Sequence, residues 1–262
     1  MSEKNDPRIT LPPIGTIHSC YVEKFGIPRQ SGLVKSATAM LELLPPYDTP
    51  DSLRGLEEFS HLWIIFVFHQ SMREHPPSSG FPPSPEAMAG QAGVTSWKAT
   101  VRPPRLGGNE RIGVFSSRSN FRPNPIGLSV VELLDVQGTT LKLGGGDFLD
   151  GTPVLDIKPY LPYADRIPEA TGAYANAAPE RANHVEFSPG AERAIQALED
   201  ETRPALRKLV CDMLAYNPRP AYQPDDPDRV FGTRIFDLDL RWKQLKSKVT
   251  VLSVDPILDA CG

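Results

Sequence analysis

Cysteine is scarce in this 262-residue chain: Cys20, Cys211 and Cys261 lie far apart and are odd in number. No Cys-x-x-Cys pair occurs, which argues against a thiolate metal site and a disulfide framework and for free thiols in a reducing compartment. The five histidines (His18, His61, His69, His75 and His184) show no ligand spacing, so no metal is expected. Long apolar runs are lacking as well. The longest, residues 62–68, is too short for a bilayer, and the opening Met-Ser-Glu-Lys-Asn-Asp-Pro-Arg has no signal-peptide core. The expectation is a soluble cytoplasmic protein. Net positive charge is absent, the formal value being −4, so nothing draws the whole molecule to nucleic acid or to an anionic membrane. No repeat period is evident.

Proline, by contrast, is abundant at 28 residues, which predicts many loops and few long helices. Charge is also uneven. Between Trp97 and Val131 six cations (Lys98, Arg102, Arg105, Arg111, Arg118 and Arg122) face Glu110 alone, a basic patch on an acidic chain. Residues 14–19 and 37–44 read as strands, the latter stopped by Pro45-Pro46. Residues 56–70 carry the strongest strand signal, an apolar, β-branched and aromatic core expected to be buried on both faces and to end at His69-Gln70. Residues 75–95 are rich in proline, serine, glycine and alanine and read as an insertion. A hairpin turns around Gln137-Gly138, and a short strand covers residues 154–157. Ser188-Pro189 signals a helix start, and Pro204 a second helix burying Leu206, Leu209, Val210, Met213 and Leu214. Residues 231–242 and 248–254 read as a closing hairpin. The outcome is a mainly β protein: a domain over residues 1–165 with the 75–95 insertion, and a small α+β domain over residues 186–262.

The stretch 113–128, Gly-Val-Phe-Ser-Ser-Arg-Ser-Asn-Phe-Arg-Pro-Asn-Pro-Ile-Gly-Leu, predicts a stiff, non-helical loop. It presents Arg118, Arg122, Asn124 and several hydroxyls; the alternatives are a ligand-holding loop and a solvated turn. Gly144-Gly145-Gly146-Asp147 follows a strand, but Phe148-Leu149-Asp150-Gly151-Thr152-Pro153 cannot start a helix cleanly, which argues against a doubly wound nucleotide fold and for a tight turn. Asp147 and Asp150 could each bind a ligand or cap that turn. Lys158-Pro159-Tyr160 and Arg219-Pro220-Ala221-Tyr222 each pair a cation with an aromatic, which suits phosphate contact beside base stacking as well as ordinary surface packing.

Taken together and in order, several segments carry a resemblance: residues 113–127, Asp150-Gly-Thr-Pro-Val-Leu-Asp-Ile-Lys-Pro-Tyr160, Pro28-Arg-Gln-Ser-Gly-Leu-Val-Lys-Ser36, Phe59-Ser-His-Leu-Trp63, Pro218-Arg-Pro-Ala-Tyr222 and residues 237–242. The chain resembles the TrmO (TsaA-like) family of S-adenosylmethionine-dependent tRNA methyltransferases over nearly its whole length. That resemblance implies a single-sheeted β-barrel methyltransferase domain, usually homodimeric. It implies N6-methylation of threonylcarbamoyladenosine at position 37, in the anticodon loop of threonine tRNA. The matching positions for S-adenosylmethionine are Pro28, Arg29, Gln30, His69, Gln70, Arg118, Leu128, Gly144, Gly145, Gly146 and Asp147. Arg122, Asn124, Lys158, Tyr160, Arg219 and Tyr222 are the candidates for substrate and tRNA. Two departures stand out: Asn120 occupies a place where the family more often has Pro or Thr, and the stretch from His75 to Thr95 is longer than expected.

Methyl transfer from a sulfonium is an in-line displacement, so positioning of donor and acceptor dominates. The acceptor N6 carries a proton that something must take, and Asp150 and His69 are the candidates. The rival readings are a non-catalytic RNA-binding barrel and a methyltransferase with another substrate.

Overall fold

The computed structural model describes residues 9–74, 99–103, 106, 110–217 and 226–257. The 75–95 stretch, Arg219 and Tyr222 lie outside the described residues.

Six strands close into a barrel: β1 (Gly15–Ser19), β2 (Thr38–Leu43), β3 (His61–Val67), β6 (Ile126–Gln137), β7 (Thr140–Gly144) and β8 (Thr152–Pro159), in the order β1-β2-β7-β6-β3-β8. Two short strands, β4 (Thr100–Val101) and β5 (Ile112–Gly113), pair separately. All barrel pairings are antiparallel, so alternate strands point up and down and closure leaves no free edge. The period-two alternation of apolar residues supplies the filling: Ile17, Leu41, Leu62, Ile64, Leu141, Leu143 and Val154 are fully buried inside. β6 is long enough to serve two partners. Its first half pairs with β3 (Ile126↔Val67 to Glu132↔His61), and its second half forms the expected hairpin with β7.

Three expectations need correction. β3 is not buried on both faces: Leu62, Ile64 and Phe66 are buried while Trp63, Ile65 and Val67 are half-buried, as a barrel wall requires. The strand also stops at Val67, and His69-Gln70 opens a short helix, α1 (His69–Glu74), instead of ending the strand. The stretch 113–128 is not wholly non-helical, because Val114–Ser116 makes one 3-10 turn and Ile126 already belongs to β6.

The second unit is a four-stranded sheet with two helices packed on it. The helices are α2 (Pro189–Leu198) and α3 (Leu206–Ala215), and β9 (His184–Phe187) runs parallel to β12 (Lys248–Pro256). The closing hairpin is in fact three strands, because Phe236 at φ 51° turns β10 (Val230–Ile235) back into β11 (Leu238–Leu245). Ser188 caps α2 as its sequence signals, accepting from the Ala191 amide at 3.1 Å. The five apolar positions expected on α3 are all buried. This second core also takes in Cys20, Tyr21, Val34 and Ala37, from the connection between β1 and β2.

Candidate functional site

Because the barrel strands alternate in direction, three connections meet at one rim. These are residues 20–37 between β1 and β2, residues 68–125 between β3 and β6, and residues 145–151 between β7 and β8. Ten of the eleven candidate cofactor positions lie on them or at the strand end that feeds them, and Leu128 lies just inside β6.

The β1–β2 connection is held from below by a ring contact and a backbone bridge. Phe25 stacks on Trp242 at 5.9 Å, and Tyr21 bridges to Ile235. Its crest then locks onto the glycine turn: the Gly32 amide donates to the Gly145 carbonyl at 2.7 Å, and the Gly145 amide donates to the Ala37 carbonyl at 2.8 Å. Gly145 sits at φ 70°, a left-handed conformation that glycine adopts without penalty. Across this joint Arg118 Nη1 donates to the Gln30 side-chain oxygen at 2.6 Å. Pro28, Arg29, Gln30, Arg118 and the turn from Gly144 to Asp147 are therefore one structural neighbourhood.

Asp147 is the charged centre of that neighbourhood. Ser129 Oγ donates to its carboxylate at 2.7 Å. Burial raises the Asp147 carboxyl above its ordinary range, while the hydrogen bond from Ser129 and the nearby Arg118 guanidinium pull against that rise. Parity along β6 explains the geometry. Gly127, Ser129 and Val131 face the interior, so Ser129 reaches Asp147, whereas Leu128 faces outward and is 53% exposed. The candidate Leu128 thus offers an apolar surface beside the polar cluster, on the other face of the strand.

The arginine-rich loop is braced mostly by its own groups. Arg122 Nη1 donates to the Ser117 carbonyl at 2.7 Å and the Val114 carbonyl at 3.3 Å, and its guanidinium lies 5.6 Å from the Phe115 ring centre. Arg122 is thereby a strut of the loop, which leaves Arg118 to face Gln30. The Asn124 carbonyl accepts from Ile126 at 2.7 Å, and the Phe68 amide donates to Pro125 at 2.8 Å. Asn120 Nδ2 donates to Ser71 Oγ at 2.8 Å, which ties the loop to α1 and holds His69 and Gln70 at the same rim.

The remaining described candidates divide between this rim, which holds Asp150, and the opposite one. The Asp150 carboxylate accepts from the Ser19 amide at 3.0 Å and lies 3.8 Å from His18 Nδ1, so it caps the end of β1. Lys158 and Tyr160 stand at the opposite rim. Tyr160 donates its amide to the His61 carbonyl at 3.0 Å and its ring lies 6.0 Å from Trp63, while Lys158 is 2.8 Å from Asp156. Sequence reasoning missed Ser129, although a serine on the inward parity of an apolar strand is itself a signal. It noted Asn120 only as a departure. Among the described residues no group of three His, Cys, Asp or Glu side chains could hold a metal ion, and no helix is long and apolar enough to cross a membrane.

A closed six-stranded antiparallel barrel whose rim connections bring Gln30, Arg118 and Asp147 into one polar cluster defines a β-barrel protein, not a doubly wound one. The chain belongs to the TrmO family: the tRNA-methyltransferase O N-terminal domain matches residues 16–166, and the TrmO C-terminal domain matches residues 180–257. It is 44% identical over 248 residues to the Escherichia coli (strain K12) tRNA (adenine(37)-N6)-methyltransferase, covering 93% of this chain and 96% of that one. A Pseudomonas aeruginosa relative, a putative S-adenosylmethionine-dependent methyltransferase RcsF, is 44% identical over 233 residues, 89% of this chain and 91% of its own. The crystal structure of a TrmO from the same organism superposes with a TM-score of 0.76 at 38% identity, covering 97% of this chain and all of that one.

Proposed function

We infer that this chain is an S-adenosylmethionine-dependent methyltransferase acting on N6 of adenine 37 in tRNA, as its relatives' names describe. The observation that carries the reading is the joint at one rim of Gln30, Arg118, Gly145 and Asp147. The donor set fits an amino-acid sulfonium. Arg118 offers a fork for a carboxylate, Asp147 a partner for an ammonium, and the glycine turn room for a close approach to the backbone. We assign Pro28, Arg29, Gln30, His69, Gln70, Arg118, Leu128 and the turn from Gly144 to Asp147 to this role. When bound, S-adenosylmethionine supplies an electrophilic methyl group. The residues of the chain orient donor and acceptor, and the buried surroundings of Asp147 strengthen each charge contact there.

The finer substrate we propose is threonylcarbamoyladenosine in the anticodon loop of threonine tRNA. For removal of the N6 proton the candidates are His69, which opens α1 at this rim, and Asp150, on the β7–β8 connection of the same rim. Arg122 and Asn124 shape the wall beside the reacting base. Lys158 and Tyr160, at the opposite rim, contact tRNA away from it, and Arg219 and Tyr222 are assigned to tRNA contact as well. We propose a cytoplasmic homodimer, supported by the exposed Phe115, Phe121, Ile126 and Leu128 around the site, and a division into domains over residues 1–165, with its 75–95 insertion, and 186–262.

Mass spectrometry of tRNA nucleosides from a deletion strain tests the function. The methylated nucleoside should vanish and threonylcarbamoyladenosine should remain, and an unchanged profile would refute the reading. In calorimetry, Arg118→Ala should weaken S-adenosylmethionine binding at least tenfold with the melting temperature lowered by no more than about 4 °C, because its bond to Gln30 is exposed and worth at most about 1 kcal/mol. Failure of the pure wild-type protein to bind the donor would favour a non-catalytic RNA-binding barrel.

A further inference from the structure

The connection that carries Pro28, Arg29 and Gln30 does not rest on the barrel alone. Val34 and Ala37 are buried in the second core, and Gly26 packs against Thr233 and Met213, closely enough that an added Cβ would lie 3.1 and 3.2 Å from their side chains. Glu23 accepts from Thr233 Oγ1 at 2.8 Å and from the Arg234 amide at 2.9 Å. At the far end of the connection one charged group does the same. Asp212 of α3, only 4% exposed, accepts from Ser36 Oγ at 2.8 Å, and also binds Arg181 Nη2 at 2.8 Å and Lys208 Nζ. Burial opposes the charge on Asp212, but the hydrogen bonds from Lys208, Ser36 and Arg181 outweigh it and hold the carboxyl below its ordinary range. It is an acceptor at neutral pH and a fixed one, pinned on three sides.

Ser36 adjoins Ala37, whose carbonyl receives the Gly145 amide, and lies four residues after Gly32, whose amide binds the Gly145 carbonyl. The grip of Asp212 on Ser36 therefore acts on the segment that clasps the glycine turn from both sides. We propose that Asp212, from the second unit, is a positioning residue for methyl-donor binding: through Ser36 it sets the β1–β2 connection against Gly145. It touches neither donor nor acceptor. The consequence is that the second unit, besides any contact it makes with tRNA, tunes donor affinity. The inference rests on the reading of this rim as the S-adenosylmethionine site.

The test compares wild type, Ser36→Ala, Ser36→Thr, Asp212→Asn and, as a control on the same helix, Arg207→Ala, which breaks an ion pair with Glu192 remote from the connection. Donor affinity is read by calorimetry with S-adenosylmethionine, and KM, kcat and melting temperature are read alongside. Loss of one partly buried hydrogen bond should weaken donor binding about 3- to 10-fold in Ser36→Ala. KM for the donor should rise in step, with kcat at saturation within about twofold. Ser36→Thr should restore affinity and Arg207→Ala should leave it unchanged. Wild-type affinity in Ser36→Ala would overturn the proposal, as would losses in all variants that merely track melting temperature. If Asp212→Asn does not fold, the Ser36 pair decides. Absence of donor binding by wild type would remove the proposal together with the site assignment, whereas normal wild-type binding with unaffected variants removes the proposal alone.

Discussion

Gly127→Ala is the sharpest test of how the barrel interior supports the rim. A Cβ at this position would lie 2.2, 2.5 and 2.6 Å from three carbons of the Phe66 ring. Carbon pairs settle at about 3.5–4.0 Å, so the ring would have to retreat by roughly 1.3 Å. It has little room to do so, because Phe66 is buried between Phe68, at a ring-centre distance of 5.1 Å, and Phe148, at 5.0 Å. Overpacking of this kind costs about 1–3 kcal/mol, and the closed surroundings argue for the upper half of that range. With about 2–4 °C lost per kcal/mol in a chain of this size, scanning calorimetry should show the melting temperature lower by roughly 4–12 °C. Phe148 directly follows the turn that carries Gly145 and Asp147, so donor affinity should fall as well. Phe66→Leu alone should also destabilise, by opening a cavity. In the double variant the new methyl group and the vacated space compensate, so its loss should be smaller than the sum of the single losses by about 1 kcal/mol or more. Additivity within about 0.5 kcal/mol would refute the packing argument.

Asp147→Asn should abolish donor binding yet stabilise the free protein near neutral pH. The raised Asp147 carboxyl means that the folded state holds its proton more tightly than the unfolded chain, so wild-type stability falls as pH rises from about 4 towards the folded value, and the advantage of the amide should grow over that interval. A pH-independent difference in thermal melts would contradict this. Ser188→Ala removes the cap of α2 and a 2.9 Å bond to the Leu252 carbonyl. Urea unfolding should show about 1–2 kcal/mol lost, with donor affinity unchanged.

Local structure was legible wherever one element's pattern sufficed. Alternation located β1, β2 and the β6–β7 hairpin, and Ser188-Pro189 located the start of α2. The errors came where partners decide. β3 reads as buried on both faces because Trp63 and Ile65 are apolar, but a barrel wall has an outer side, and that side is only half covered. Phe236 shows no turn signal in its composition, yet it takes a left-handed backbone that only the β10–β11 pairing requires. The candidate site behaves likewise. The segments holding Gln30, Arg118 and Asp147 are visible as polar or glycine-rich loops, but their meeting depends on strand direction. Asp147 and Asp150 are equivalent in sequence and are separated only by geometry: one reaches inward to Ser129, the other caps Ser19. Lys158 belongs to a strand that leaves the rim at Thr152 and runs about 3.3 Å per residue, which carries it, and Tyr160 just beyond the strand's end, to the opposite rim.

The connection between Ser19 and Thr38 explains why the second unit accompanies the barrel. A stretch of this length without regular structure is long for a loop, and holding it in one conformation costs about 1–2 kcal/mol per residue in backbone entropy. Its polar crest, the part that faces Arg118, cannot recover that cost. Recovery comes from its other side, where Cys20, Tyr21, Val34 and Ala37 are buried with Phe25 and Ile27 packed against the same core. Each large apolar side chain buried there contributes roughly 1.5–3 kcal/mol, and that core is built by α2, α3 and the four-stranded sheet, not by the barrel. The connection that carries Gln30 is therefore barrel in sequence and second unit in energetics. A barrel lacking that backing would keep Arg118 and Asp147 but lose the order of Gln30 and of the clasp on Gly145. Substitutions buried in α3, far from any reacting atom, should accordingly be read as changes to the proposed donor site.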